Sequence, residues 1–428
     1  MRVAVVGAGL VGVASALELA RDGHAVTLFE RHRSVAAEAS FAPAGLVSPS
    51  HLAHGSIPER PALCWGPWSA GDGPRRLHPL LSPRTLRWLW HERQAARGHS
   101  LQERRERLQR LATYSQARLR HLTAELTLQY ERSDGHLVLL RTAEELAQLD
   151  PALEALTASG TRWARLDPAQ CLTIEPALNA GVALHAGIHL PGDEATNSRQ
   201  LALLLRNAAE QCGASVALNT EVLAISGGAA PSVLHRGATP QQATPAPRSE
   251  PFDAIVVCAG VGTGALLRPI GLALPLQDVH DYSITATMRM DAAGNALGPR
   301  SALTDQRHGV VISRIGQRVR VAGGAQIGGG ATRLRADALS LLYGVLDEWF
   351  PGASQSAQAQ SWKGTRATLP DGVPVIGASG VAGIWLHLGH GASGASLACG
   401  GARLLADAMA GRRDAQLLDG LGMARLRA

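Results

Sequence analysis

The sequence predicts an α/β fold in which a parallel-sheet unit is interleaved with a second domain built on an antiparallel sheet. Three observations lead there. A short β-branched run, a glycine-rich turn, an amphipathic helix and a second apolar run occupy the first thirty residues in that order. Two further glycine-rich turns follow apolar runs much later, around residues 258–260 and 389–394. Between them lie alternating strand-like pieces (YSITATMRM, GVVISR, RVRVAGG) that suit an antiparallel sheet.

The first unit is the clearest. RVAVV reads as a buried parallel strand, GAGLVG as a turn, VASALELARDG as a helix ended by Gly23, and AVTLFE as a second strand. This is a βαβ unit. From Ser82 to Arg132 the pattern turns helical and arginine-rich, with Trp88 and Trp90 close together. Such helices could offer a basic face to a membrane or a partner; the solvated face of packed helices is the favoured reading. SRQLALLLRNAAEQCG predicts a helix and ASVALNTEVLAIS a strand pair. Residues 227–251 are rich in Pro and Ala and read as an exposed excursion without a site. FDAIVVCAG resumes as a buried strand, and IWLHLGHGASGASLACGGARLLADAMAG closes the chain as strand, loop and helix. The expected division gives 1–80, 191–272 and 361–428 to the parallel-sheet unit. It gives 81–190, largely helical, and 273–360 to the second domain.

Composition narrows the function classes. At 428 residues the chain exceeds one small core. Its 46% hydrophobic and 18% charged content is that of a globular protein. The net charge of +6 is scattered and aromatics are only 4%, which argues against a nucleic-acid surface. Five distant cysteines show no metal or redox spacing, so no metal site is expected and the thiols are expected free in a reducing, cytoplasmic compartment. No signal peptide and no transmembrane run are expected. Lys363 is the only lysine, a compositional bias toward arginine. No phosphate cup surrounds it, so a lysine-bound pyridoxal phosphate is not expected.

The glycine turn carries the first piece of chemistry. Gly7 permits a tight turn, Gly9 lets backbone approach a pyrophosphate, and Gly12 lets helix and strand pack closely. With Ala8, Leu10 and Val11 they form a helix start whose free N–H groups and positive dipole end suit phosphates. Glu30 ends the second strand about 20 residues on, where a carboxylate accepts ribose hydroxyls. A dinucleotide is therefore expected, NAD or FAD. Ala259 and Gly260 close a later strand, and Gly389–Gly394 (with His390, Gly391 and Ser393) open the last helix. Three glycine-rich approaches suit a long extended cofactor, and a helix start can stabilise negative charge on a flavin. His390 is a candidate catalytic residue or a donor to backbone or cofactor.

The chain resembles the flavin-dependent D-amino acid dehydrogenases, small-subunit type, of the D-amino acid oxidase superfamily. The resemblance runs nearly end to end, on VVGAGLVGVASALELARDGHAVTLFE, ASFAPAGLVSPS, LATYSQARLRHL, PGDEATNSRQL, YSIT, WKGTRATLPDGVPVIG and LGHGASGASLACGGARLLAD. It implies a Rossmann-like FAD-binding domain joined to an antiparallel substrate domain. By that resemblance Gly7, Gly9, Gly12, Glu30 and Arg31 bind the adenosine end of FAD, and Val222 lies near the adenine. Ser40, Ala44, Gly45 and Val47 line the pyrophosphate and flavin, and Gly389–Gly394 face the isoalloxazine. Arg366, after the Trp-x-Gly-x pattern, is implied to grip the substrate carboxylate, a task for a planar bidentate guanidinium. Tyr282 is implied near the substrate; a buried hydroxyl satisfying backbone is the alternative. His280 and His51 are weaker candidates as helpers.

The implied reaction is oxidative deamination of a D-amino acid by hydride transfer from Cα to flavin N5, with a quinone or other carrier taking the electrons. An oxidase using oxygen, or a flavin-binding subunit of a larger complex, are the competing readings. Peripheral contact with the inner face of a membrane is compatible with a quinone partner; oligomeric state is left open. Three departures bear on substrate: His280-Asp281 stand where Lys-Gly is usual, Ala395-Ser396 where a tryptophan is usual, and Pro43 and Leu46 where Asn and Gln are usual. They point to a larger or cyclic substrate, such as a D-proline or hydroxyproline type.

Overall fold

A computed structural model describes residues 1–50, 63–65, 75–78, 81–95, 99–237, 246–329, 334–355, 358–412 and 414–426. Its fold is mixed α/β, as the sequence predicts. One six-stranded sheet runs Val375–Ala378, Ile384–Leu388, Ala254–Val257, Arg2–Val6, Ala25–Phe29 and Ser215–Ala217. Its neighbours are parallel except for the first pair, which is an antiparallel turnback.

Alternation along Arg2–Val6 explains why this strand lies at the centre. Val3 and Val5 join one core with the helices Leu10–Arg21, Ser198–Gln211 and Gly394–Met409, while Ala4 and Val6 join a second core on the opposite face. A side chain of that size contributes about 1.5–3 kcal/mol when fully buried. The helix His99–Glu125 adds Leu108, Leu111, Leu119 and Leu122 to the first core. Its Arg118 and the neighbouring Arg403 converge on the fully buried Glu18 at 2.7 and 2.8 Å.

The second core is closed by a three-stranded antiparallel sheet, Thr220–Ser226, Ser232–Gly237 and Arg248–Pro251. This corrects the expectation that residues 227–251 form an exposed excursion. The Pro- and Ala-rich composition hid a hairpin whose Val233 is fully buried beside Phe252. The stretch 238–245 lies outside the described residues.

The larger sheet runs Gln360–Thr368, Gln277–Thr287, Arg318–Ile327, Val310–Ile315, Ala302–Asp305, Arg132–Leu140, Ala186–Thr196 and Leu46–Val47. It is antiparallel along this path except where Ala302–Asp305 lies parallel to Arg132–Leu140. The helix Ala336–Trp349 covers one face through Leu342, Val345, Leu346 and Trp349 against Tyr282, Ile284, Val319 and Val321. The other face of Gln277–Thr287 and Gln360–Thr368 is turned toward the parallel-sheet unit. In the helix Pro83–Ala95, Trp88 is buried and donates from Nε1 to Thr368 O at 3.1 Å, while Trp90 is exposed. No helix among the described residues is long and apolar enough to cross a membrane.

Candidate functional site: one cavity between two sheets

The turn after Arg2–Val6 is shaped by backbone contact. Gly7 has φ +99°, and a Cβ there would lie 2.6 Å from Cys258 O; a Cβ on Gly12 would lie 1.8 Å from Gly7 O. Both positions are closed to any side chain. Gly9 differs: its Cβ would meet only Ser40 Oγ, at 3.4 Å. Gly9 caps the helix Leu10–Arg21 with no side chain on its first turn, apart from Ser40 Oγ, which accepts from Leu10 N–H at 3.1 Å. The helix start therefore stands open to a ligand.

A cavity of about 480 Å³ runs from this turn to the larger sheet. Gly7, Ala8, Gly9, Leu10, Val11, Glu30, Arg31, Ser40, Ala44, Gly45, Val222, Ala259, Gly260, Gly389, His390, Gly391 and Gly394 all line it, together with Arg366 and Tyr282. Of the sequence-derived set, Gly12, Val47 and Ser393 do not. Gly12 serves the turn, Val47 pairs with Glu194 in the larger sheet, and Ser393 is buried at the N-cap of Gly394–Met409. His51 lies outside the described residues.

Glu30 is nearly buried and its carboxylate is held by two backbone donors: Ala8 N–H to Oε2 and His32 N–H to Oε1, each at 2.9 Å. Each oxygen keeps a second lone pair for a hydroxyl. Arg31 pairs with Glu38, which also meets His32 Nε2 at 2.8 Å. Burial lifts the Glu38 carboxyl, but its bonds to His32 and Arg31 outweigh that and hold it below the usual carboxylate range.

At the far end Gly389 and Gly391 have positive φ, and the loop leads into the second uncapped helix, Gly394–Met409. His390 is buried, packs edge-on against His387 with ring centroids 4.7 Å apart, and its Nε2 has no partner within the protein. Burial pushes its pKa down to about 3, so the ring is neutral. Ser396, one of the departures noted in sequence, ties this helix to the loop at 46–48. Its Oγ donates to Leu46 O at 3.1 Å and accepts from Ser48 N–H at 3.0 Å.

On the larger sheet, Asp281 and Arg366 are diagonal neighbours across adjacent antiparallel strands, with Gly364 opposite Asp281 and Val279 opposite Arg366. Arg366 Nε donates to Asp281 Oδ2 at 2.5 Å and Nη2 to Oδ1 at 3.3 Å, while Nη1 reaches Thr368 Oγ1 at 3.4 Å. Gly364 carries no side chain because the Trp362 ring covers it: a Cβ would lie 1.8 Å from Trp362 Cη2. Trp362 in turn stacks on Phe41, ring centroids 6.4 Å apart. Arg75 also lines the cavity and pairs with the buried Glu92 at 2.9 Å. Burial lifts the Glu92 carboxyl above its usual range against the pull of Arg75 and Arg366.

Tyr282 follows Asp281 and so points to the opposite face. It is fully buried among Ile284, Val321 and Trp349, its hydroxyl donates to Gln326 Oε1 at 2.9 Å, and Lys363 Nζ sits 5.5 Å from its ring centre. The hydroxyl is thus occupied by a side chain within the sheet–helix core. His280 lies on the same face, bonded to Thr365 Oγ1 at 2.9 Å and to Gly329 O at 3.3 Å. Asp281, Arg75 and Glu92 are the site residues that sequence reasoning missed. The His280-Asp281 departure was the available signal for the first. Nothing in the sequence marks the others, since their pairing depends on the fold.

These features fit a flavin dinucleotide. Two uncapped helix starts open on one elongated cavity, Glu30 is fixed at one end, and the Gly389–Gly391 backbone turn with His390 lines the other. Among the described residues no cluster could hold a metal.

Comparison with known proteins gives the same picture. A family model described as FAD dependent oxidoreductase (DAO) matches residues 2–408. The chain is 35% identical over 431 residues to a protein of Methylobacterium radiotolerans named D-amino acid dehydrogenase, covering 99% of each. It is 35% identical over 414 residues to one so named from Methylobacterium nodulans, covering 96% of each. Among solved structures, glycine oxidase from Geobacillus kaustophilus shares the fold with a TM-score of 0.75 at 22% identity, over 99% of both chains.

Proposed function

Because the chain belongs to the DAO family of FAD dependent oxidoreductases, we propose that this enzyme oxidises the Cα–N bond of a D-amino acid, or of a cyclic D-imino acid. The observation that supports this most is that Arg366, the Gly7–Gly12 turn and the Gly389–Gly394 loop line one cavity.

Each part has a task in that reading. The Leu10–Arg21 helix start and Gly9 receive the pyrophosphate, and Glu30 accepts from ribose hydroxyls. Gly260, Gly389 and Gly391 let backbone come close to a flat ring system. FAD held by these residues would supply the two-electron acceptor for the Cα hydride, with a quinone or another carrier as the final oxidant. Arg366 binds the substrate carboxylate by its outer edge (Nη1 and the free side of Nη2), which fixes the direction of the Cα–H bond. The substrate amine loses its proton to solvent as the C=N bond forms, so no protein base is required. Water then adds to the imine, releasing ammonia and an oxo acid; a cyclic imine can leave intact. The neutral His390 donates or accepts a hydrogen bond without carrying charge. Orientation and electrostatics do most of the work.

The test is turnover of the purified FAD-loaded protein on D-amino acids with an artificial quinone or dye, with peroxide measured in parallel. Dye reduction without peroxide supports the dehydrogenase. Stoichiometric peroxide at comparable rates would assign an oxidase.

A further inference from the structure

We propose that Asp281 determines substrate selection by charge: the site prefers a D-amino acid carrying a second cationic group and rejects one carrying a second carboxylate. This rests on the reading of Arg366 as the carboxylate clamp.

The geometry behind it is a guanidinium already half used. Asp281 takes the Nε and one Nη2 donor of Arg366 and Thr368 Oγ1 one Nη1 donor at 3.4 Å, leaving one donor on each of Nη1 and Nη2 for a substrate. Nη1 points toward the Gly389–Gly394 loop, 3.7 Å from where a Gly391 Cβ would be. A substrate carboxylate can still bind end-on, but it then shares one cation with a second carboxylate. The nearest other charges on this face are Arg75 and Glu92, which pair with each other at 2.9 Å; the buried Arg320 lies farther along it, bonded to Thr285 Oγ1 and Pro43 O. Lys363 faces Tyr282 on the opposite side of the sheet. Arg366 and its neighbour Arg75 are thus each paired with a carboxylate before substrate arrives.

Adding a substrate carboxylate leaves one negative charge in excess. The α-ammonium of a zwitterion offsets it only while protonated, and the amine must be neutral for Cα–H to leave as hydride. A side-chain ammonium or guanidinium restores the balance throughout the reaction, whereas a side-chain carboxylate doubles the excess. Asp281 retains enough exposure in the cavity (28%) for such a cation to reach it. Ala395 lines the cavity and adds little bulk there, which leaves room for a longer side chain. A partly desolvated pair of charges can shift binding by a factor of ten or more.

The experiment compares kcat/KM of the FAD-loaded enzyme on D-arginine, D-alanine and D-glutamate, for the native protein and for Asp281→Asn. The native enzyme is expected to favour D-arginine over D-glutamate by about 100-fold or more. Asp281→Asn, nearly isosteric, should shrink that ratio at least about tenfold, mainly by improving D-glutamate. Calorimetric titration with acetate should show about tenfold tighter binding to the variant. A native preference for D-glutamate, or a ratio and an acetate affinity unchanged in the variant, would overturn the proposal. Should Asp281→Asn not fold, the native ranking decides alone. Equal turnover of all three substrates defeats this inference while leaving D-amino acid oxidation intact. Failure of every D-amino acid to reduce the flavin defeats the underlying reading instead, and unchanged acetate binding would then still count against Asp281.

Discussion

A Cβ on Gly12 would lie 1.8 Å from Gly7 O, within the same turn, whereas a Cβ on Gly9 would meet nothing nearer than Ser40 Oγ at 3.4 Å. Two glycines of one motif are thus required by the protein's own packing, and the third is free for a ligand. Gly12→Ala should destabilise the fold itself, by about 3 kcal/mol or more, read as a lowered denaturant midpoint in the FAD-free protein. Gly9→Ala should leave the FAD-free protein as stable as before but raise the Kd for FAD by about 10- to 100-fold. Equal effects on both measurements would mean that Gly9 also serves only packing.

Arg366 separates cofactor from substrate. Arg366→Ala should raise KM for the amino acid by about 100-fold while the flavin stays bound with an ordinary spectrum. Arg366→Lys should recover little, because an ammonium cannot hold Asp281 and a second carboxylate in one plane. Normal kinetics in Arg366→Ala would remove the carboxylate clamp from the account.

His390 should be silent in pH profiles. With burial pushing it down to about 3, its imidazole is neutral across the working range and cannot act as a cationic acid. The profile of kcat/KM between pH 5 and 9 should therefore show the same inflections in His390→Asn as in the native enzyme. An inflection near 6.5 that disappears in the variant would contradict this.

Away from the cavity, Arg141 ties the larger sheet to the helix that covers it. It donates to Asp305 Oδ2 at 2.6 Å, and Trp349 Nε1 donates to the same oxygen at 2.7 Å. Burial raises the Asp305 carboxyl, but His308 and Arg141 together hold it well below the usual range. A depressed carboxyl contributes stability above its unfolded pKa of about 3.9, lost as pH falls through that value toward the folded one. Arg141→Met should thus cost about 3–5 kcal/mol at pH 7, and the difference from the native protein should narrow below about pH 4. A pH-independent difference would show that packing of the arginine stem, not its charge, is what matters.

Much of the fold could be read because its signals are local. The βαβ unit depends on a period-3.6 helix between β-branched runs and on glycines with fixed spacing, and WKGTRATLPDGVPVIG carries Arg366 by pattern. The hairpin around Val233 is not legible because Pro and Ala obscure a short strand that becomes apolar-faced only against Phe29 and Phe252. Tyr282, expected near the substrate, lines the cavity, while strand alternation beside Asp281 turns its ring to the helix-covered face. Partnership was the least legible feature. Asp281 and Arg366 are 85 residues apart, and only the register of two antiparallel strands makes them diagonal neighbours.

The most direct test is anaerobic mixing of the purified protein with matched D- and L-amino acids while the visible absorbance of the flavin is followed. The account predicts bound flavin that bleaches on adding the D-enantiomer and stays oxidised with the L-enantiomer. Absence of flavin, or bleaching by the L-enantiomer alone, would contradict it.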